Sequence, residues 1–135
     1  METITVRTRE HAQLIDITRE IQNLLSKSNL SEGIVTIFVP HTTAGITINE
    51  SADPSVMHDI LAVLDRLVPW REPYYEHSEG NAASHVKASI MGSSVRVIVS
   101  DGGLKLGTWQ GIFFCEFDGP RTRKVHVAFQ SAVSG

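Results

Sequence analysis

Apolar and polar positions repeat at two different periods along the chain, and the changes between them mark its elements. Thr3 to Val6 and Leu14 to Ile17 read as short strands around a polar turn, Arg7 to Gln13. Thr18 is placed to N-cap a helix whose apolar stripe is Ile17, Ile21, Leu24 and Leu25, and Ser31, Glu32 and Gly33 break it. Ile34 to Val39 is a near-continuous β-branched run. It predicts a central strand buried on both faces and ended by Pro40. Gly45 to Glu50 alternates, with Ile46 and Ile48 on one side and Thr47 and Asn49 on the other.

Asp53 before Pro54 is the sharpest helix start in the chain, an N-cap followed by proline at the first helical position. The buried stripe expected behind it is Met57, Ile60, Leu61, Leu64 and Val68, and Pro69 stops it. Trp70 to Gly80 has no period and reads as a long loop, the kind that often carries function. Asn81 to Met91 predicts a short helix with Ala83, Val86 and Ile90 inward and Gly92 as terminator. The last third is β: Ser94 to Ser100, Trp109 to Phe117 after the Asp101-Gly102-Gly103 turn, and a final strand. That strand alternates Arg123, Val125, Val127 and Phe129 against Lys124, His126, Ala128 and Gln130, behind an Asp118-Gly119-Pro120 turn. Strands interrupted by about three helices and closed by hairpin turns predict an α+β fold, an antiparallel-rich sheet or sandwich, in one domain spanning 1–135.

Composition narrows the function. A length of 135 residues with 41% hydrophobic and 20% charged residues suits a single folded domain and argues against disorder. A net charge of −3 and no basic stripe argue against a nucleic-acid partner; the Arg121 to Lys124 run reads as the exposed face of a strand. No apolar run approaches the roughly 20 residues of a membrane helix. Cys115 is the only cysteine, so no disulfide forms within the chain. With no signal-like start, a reducing, cytoplasmic setting is expected. Cys115 lies in an apolar strand and reads as packing.

The six histidines are not equivalent. His11, His58 and His126 fall on polar turns or faces. His41 follows the most apolar strand and opens a small-residue turn, Thr42-Thr43-Ala44-Gly45, where hydroxyls and backbone N–H groups stay free for a ligand. A hydrogen-bonded structural histidine is an equal reading there. His77 and His85 flank Asn81 on a loop and a helix start, at a spacing that matches no known zinc signature. Glu116, on an apolar strand, needs a partner if buried, and Arg121 or Arg123 could supply it. Trp109 reads as core, with Gln110 beside it able to hydrogen-bond a ligand.

Three segments together resemble a known family. They are His41-Thr42-Thr43-Ala44-Gly45-Ile46-Thr47-Ile48-Asn49-Glu50 with Asp53-Pro54 and Asp59; Tyr75-Glu76-His77 with Glu79-Gly80 and Ser84-His85-Val86-Lys87; and Leu106-Gly107-Thr108-Trp109-Gln110-Gly111-Ile112 with Glu116 and Arg121 to Arg123. The chain resembles the YjbQ-like family, also called the secondary thiamine-phosphate synthase enzyme family, in order and over nearly its whole length. The resemblance implies an α+β homotrimer and a pocket gathering His41, His77 and His85 that can take a divalent metal. Zn²⁺ suits three imidazoles, and Mg²⁺ would suit the synthase chemistry. It implies a low-level thiamine phosphate synthase activity beside an unsettled main role. The expected ligand is a small phosphorylated metabolite. Thr42, Thr43, Asn81, Trp109 and Arg121 are the candidates to bind it, and Glu79, Asn49 and Gln110 the candidates to act on it. Hydrolysis or transfer on another phosphorylated compound, and metal or anion binding without catalysis, are the competing expectations.

Overall fold

Among residues 1–132, which the computed structural model describes, the two periods resolve into eight strands and three helices. Their order is β1 (Glu2–Arg7), β2 (Gln13–Asp16), α1 (Thr18–Ser28), β3 (Gly33–Phe38), β4 (Ala44–Glu50), α2 (Pro54–Leu67), α3 (Ala82–Met91), β5 (Ser94–Ser100), β6 (Gly103–Leu104), β7 (Gln110–Glu116) and β8 (Thr122–Ser131). A five-stranded sheet runs β1-β8-β3-β5-β6 and a three-stranded sheet runs β2-β7-β4. Every pairing is antiparallel. This is the α+β, antiparallel-rich arrangement expected from the turn signals.

The main core lies between the two sheets. Val35, Ile37, Val97, Val99, Val125 and Val127 project from the larger sheet, Ile46, Ile112 and Phe114 from the smaller, and Ile21 and Leu25 from α1, with Ile17 just before it. A second cluster joins Cys115 and Phe117 to Leu64 of α2 and Ala88 of α3, so these helices cover the far face of the three-stranded sheet. The strand covered on both faces is therefore β7, buried from Gly111 to Glu116, and not β3 as its composition suggested. β3 alternates: Val35 and Ile37 point inward, while Ile34, in register with the exposed Ile98, and Phe38 face outward. Among the described residues, Ile34, Phe38 and Ile98 stay exposed on that side of the larger sheet, so a β-branched run there has a wet face.

Two helix expectations change. Thr18 is the first residue of α1 rather than its cap. Asp16 Oδ1 accepts both the Thr18 N–H, at 2.9 Å, and the Thr18 hydroxyl, at 2.6 Å, while Thr18 Oγ1 accepts the Ile112 N–H. A carboxylate two residues upstream has taken the capping role. In α3 the inward face is Ala83, Ser84, Lys87 and Ala88, and Val86 and Ile90 are exposed. Ser84 donates to the Phe117 carbonyl at 2.6 Å and the Lys87 ammonium lies 3.5 Å from Asp65, so both polar groups are buried with partners. Asp53 does cap α2, accepting the Ser55 N–H at 2.9 Å.

Gly45 fixes how α3 meets the smaller sheet. Its missing Cβ would stand 2.7 Å from the Gly92 carbonyl oxygen, which accepts the Ile46 N–H at 3.0 Å. Only a residue without a side chain lets the end of α3 approach β4 so closely. The helix carrying His85 is thereby set beside the segment carrying His41.

Candidate functional site

β3 and β4 are joined by Val39 to Thr43, and the chain turns there beside the start of β8. Arg123, at the start of β8, is buried, and Glu116, at the end of β7, is fully buried. The Arg123 Nε donates to Glu116 Oε1 at 2.8 Å, and its Nη2 bonds Glu116 Oε2. The same Nη2 donates to the Thr43 hydroxyl at 2.9 Å and the Thr43 carbonyl at 3.3 Å. Glu116 also accepts the Thr8 hydroxyl and the Asp118 N–H. Burial alone would raise the Glu116 carboxyl. The Arg123, Asp118 and Thr8 hydrogen bonds outweigh it and hold that carboxyl below its ordinary value. This buried pair is the floor on which the His41 turn rests.

Above it lies an open, polar pocket of about 430 Å³ bordered by His41, Thr42, Thr43, His77, Glu79, Asn81, His85, Asp118, Arg121 and Arg123. His77, from the long loop, and His85, from the first turns of α3, meet edge to face with ring centres 4.9 Å apart. His41 Nε2 accepts the Lys124 backbone N–H at 2.9 Å. Burial, then the charge of Arg123, lowers the His41 ring below its ordinary 6.5. Arg121 is anchored to Asp118 through Nε, 2.8 Å from the carbonyl, and Nη2, 3.0 Å from Oδ2. Asn81 donates to the same Asp118 oxygen at 2.8 Å, and its own Oδ1 is a buried acceptor without a hydrogen-bond partner among the described residues.

The structure thus brings His41, His77, His85, Thr42, Thr43, Asn81, Glu79 and Arg121 to one place. It does not bring Asn49, Gln110 or Trp109 there. Ala44 pairs with Glu116, whereas Glu50 pairs with Gln110, so those three residues sit at the opposite end of the β4–β7 ladder, roughly 20 Å away at about 3.3 Å per residue. Trp109 is 63% exposed rather than core, and Gln110 Oε1 accepts the Gly107 N–H. Thr43 is buried, and its hydroxyl oxygen and carbonyl both accept the Arg123 guanidinium, so it supports the site from beneath. Glu79 is exposed at the rim, 3.8 Å from His77 Nε2.

Asp118 and the Lys124 N–H are site members that sequence reasoning missed. Asp118 was legible only as a turn residue, although an aspartate three residues before an arginine is a pairing signal. A backbone donor leaves no signal at all.

A ring nitrogen that accepts an N–H carries no proton, so the proton of neutral His41 is on Nδ1, and neither nitrogen offers a free lone pair. Among the described residues no three His, Cys, Asp or Glu side chains are arranged to hold a metal ion. The expected three-imidazole metal centre does not fit this arrangement. N–H donors beside arginine suit an oxyanion.

Acid should weaken the fold through the two groups whose protonation is suppressed. For each, the native form resists a proton that the unfolded chain accepts, so the stabilisation is full above the ordinary value, 6.5 for His41 and 4.5 for Glu116. It is lost as pH falls through the native values. Urea midpoints are expected to fall from pH 7.5 to pH 5.5 and more steeply below pH 4.5. A His41→Asn protein should flatten the first drop; an equal drop in that variant would assign it elsewhere.

The model of the family described as UPF0047 protein YjbQ-like matches residues 2–132. The UPF0047 protein YugU of Bacillus subtilis is 50% identical over 127 residues, covering 94% of this chain and 96% of its own. A UPF0047 protein of Methanocaldococcus jannaschii is 52% identical over 124 residues, covering 90% and 88%. Among solved structures, a YjbQ/UPF0047 family protein of Clostridium acetobutylicum superposes with a TM-score of 0.94 at 51% identity, covering 96% of this chain and all of that one. A hypothetical protein of Aeropyrum pernix gives 0.91 at 38% identity, covering 97% and 99%.

Proposed function

The chain belongs to the UPF0047 protein YjbQ-like family, and on that premise we propose that its histidine pocket binds the phosphate end of a small phosphorylated metabolite, with thiamine phosphate synthesis as a secondary activity. The observation that carries this is the convergence of His41, His77 and His85 with Arg121 around a single polar hollow. Arg121, a planar donor fork anchored by Asp118, would clamp one oxygen edge. The imidazoles would orient the rest, with Asn81 holding Asp118 in place beside Arg121. Joining a pyrimidine diphosphate to a thiazole phosphate expels pyrophosphate, a step that needs charge stabilised on the departing oxygens more than it needs a strong base. Such donors supply that stabilisation. A divalent ion enters this reading only in company with the ligand's own phosphates, the usual habit of Mg²⁺.

Binding outweighs catalysis for a physical reason. Glu79, the one carboxylate among the candidates to act on the ligand, is exposed at the rim, and the buried Glu116 is locked to Arg123, so neither is poised over the hollow as a buried proton carrier. This favours a protein whose first task is to hold an anion; the assembly proposed for it is the homotrimer that the family resemblance implies. Sedimentation as a 14.9 kDa species at micromolar concentration would contradict the trimer. His85→Ala and Arg121→Ala proteins should each bind inorganic phosphate about tenfold more weakly, the loss of one charge-assisted hydrogen bond. The same proteins should lose thiamine phosphate formation in parallel. Folded variants that keep both would remove the pocket from the function.

A further inference from the structure

His41 is held in a way that the other two pocket histidines are not. Its Nε2 receives the Lys124 backbone N–H at 2.9 Å, from the start of β8, where Lys124 is also in register with Thr5 of β1. A backbone amide can only donate. The ring nitrogen facing it must therefore be unprotonated, and a neutral imidazole then carries its one proton on Nδ1. No acceptor among the described residues takes a hydrogen bond from Nδ1, and the ring borders the pocket together with Arg121 and Arg123. A sheet strand has fixed the tautomer, and a donor has been left over.

We infer that His41 is a neutral Nδ1–H donor to the oxyanion of the ligand, set in that tautomer by the Lys124 backbone, and is not a metal ligand. The inference rests on the reading of the pocket as an anion site and adds the atom that makes the contact. Neutrality matters to the role. An imidazolium would have to give up the Lys124 hydrogen bond, since both its nitrogens donate, and it would face the Arg123 guanidinium. A neutral donor adds direction to the positive field that the arginines supply and does not depend on a proton being present.

Two measurements test this on the full chain. Long-range ¹H–¹⁵N spectra of histidine-labelled protein at pH 7.5 are expected to show His41 protonated at Nδ1 and bare at Nε2, unchanged in that pattern by one equivalent of Zn²⁺. A proton on Nε2, an imidazolium, or a zinc-bound His41 ring would overturn the inference. In titrations with inorganic phosphate, His41→Asn places an amide nitrogen near the Nδ1 position, and His41→Gln places one near Nε2. The asparagine protein should bind within about threefold of wild type, and the glutamine protein about tenfold more weakly, as expected for one hydrogen bond to a charged group. The reverse order would make Nε2 the working atom and overturn the assignment. Wild-type protein that binds no phosphate while showing the Nδ1–H tautomer would remove the anion reading and the donor role with it. Bound phosphate with the proton on Nε2 would remove only this inference.

Discussion

Arg123→Ala is expected to lower folding stability by about 3–5 kcal/mol, the range seen when one partner of a buried ion pair is removed. Glu116 is fully buried, and its carboxylate would keep the Thr8 hydroxyl and the Asp118 N–H but lose both guanidinium contacts. Water cannot replace them without opening the junction between β7 and β8. The Thr43 carbonyl and hydroxyl would lose a donor as well, so the turn carrying His41 should loosen with the pair. The loss belongs to the uncompensated charge and not to the pair as such. An Arg123→Met/Glu116→Leu protein should therefore recover most of the stability. Urea midpoints of the single and double variants separate the two effects. A single variant within 1 kcal/mol of wild type would mean that Glu116 does not depend on Arg123.

Gly119→Ala should cost about 3 kcal/mol, the upper end of what an extra methyl in a packed site costs. Its Cβ would stand 2.3 Å from the Glu10 carbonyl oxygen, 2.8 Å from Thr8 Oγ1 and 2.9 Å from Glu116 Cγ. The first of these is backbone. The other two belong to the same buried network, so relief in any direction disturbs either the Glu10–His11 segment, whose His11 carbonyl accepts the Gly119 N–H, or the carboxylate itself. Gly103→Ala is the control: its nearest new contact is an ordinary 3.7 Å, and little change is expected. Equal losses in the two variants would show that the close approach at Gly119 relaxes freely.

Element boundaries were largely legible, because a period of two or of 3.6 and a proline or glycine at its end are properties of the chain itself. The layer order was not. Ile34 to Val39 and Gly111 to Phe117 are equally apolar, and nothing local says that β7 runs in the middle of its sheet under α2 and α3 while β3 keeps a wet face. That depends on where the helices pack. In α3 hydropathy selected Val86 and Ile90, yet Ser84 and Lys87 are inside, because their partners at Phe117 and Asp65 come from distant parts of the sequence. The site divides in the same way. The glycine-bearing turn after His41 marks an unusual position, and the family signatures tie it to His77 and His85. Asn49, Gln110 and Trp109 share those signatures but lie at the far end of the β4–β7 ladder, since sequence proximity along a strand carries a residue away at 3.3 Å per step. The Lys124 N–H that decides the character of His41 has no side-chain identity to read.

Calorimetric titration with inorganic phosphate at fixed ionic strength tests the anion pocket most directly. It compares wild type with the His41→Ala/His77→Ala/His85→Ala protein after circular dichroism has shown the same fold. The expected result is saturable binding to wild type that disappears in the triple variant. Equal binding by the two proteins, or none by wild type, would contradict a phosphate-holding role for the three histidines.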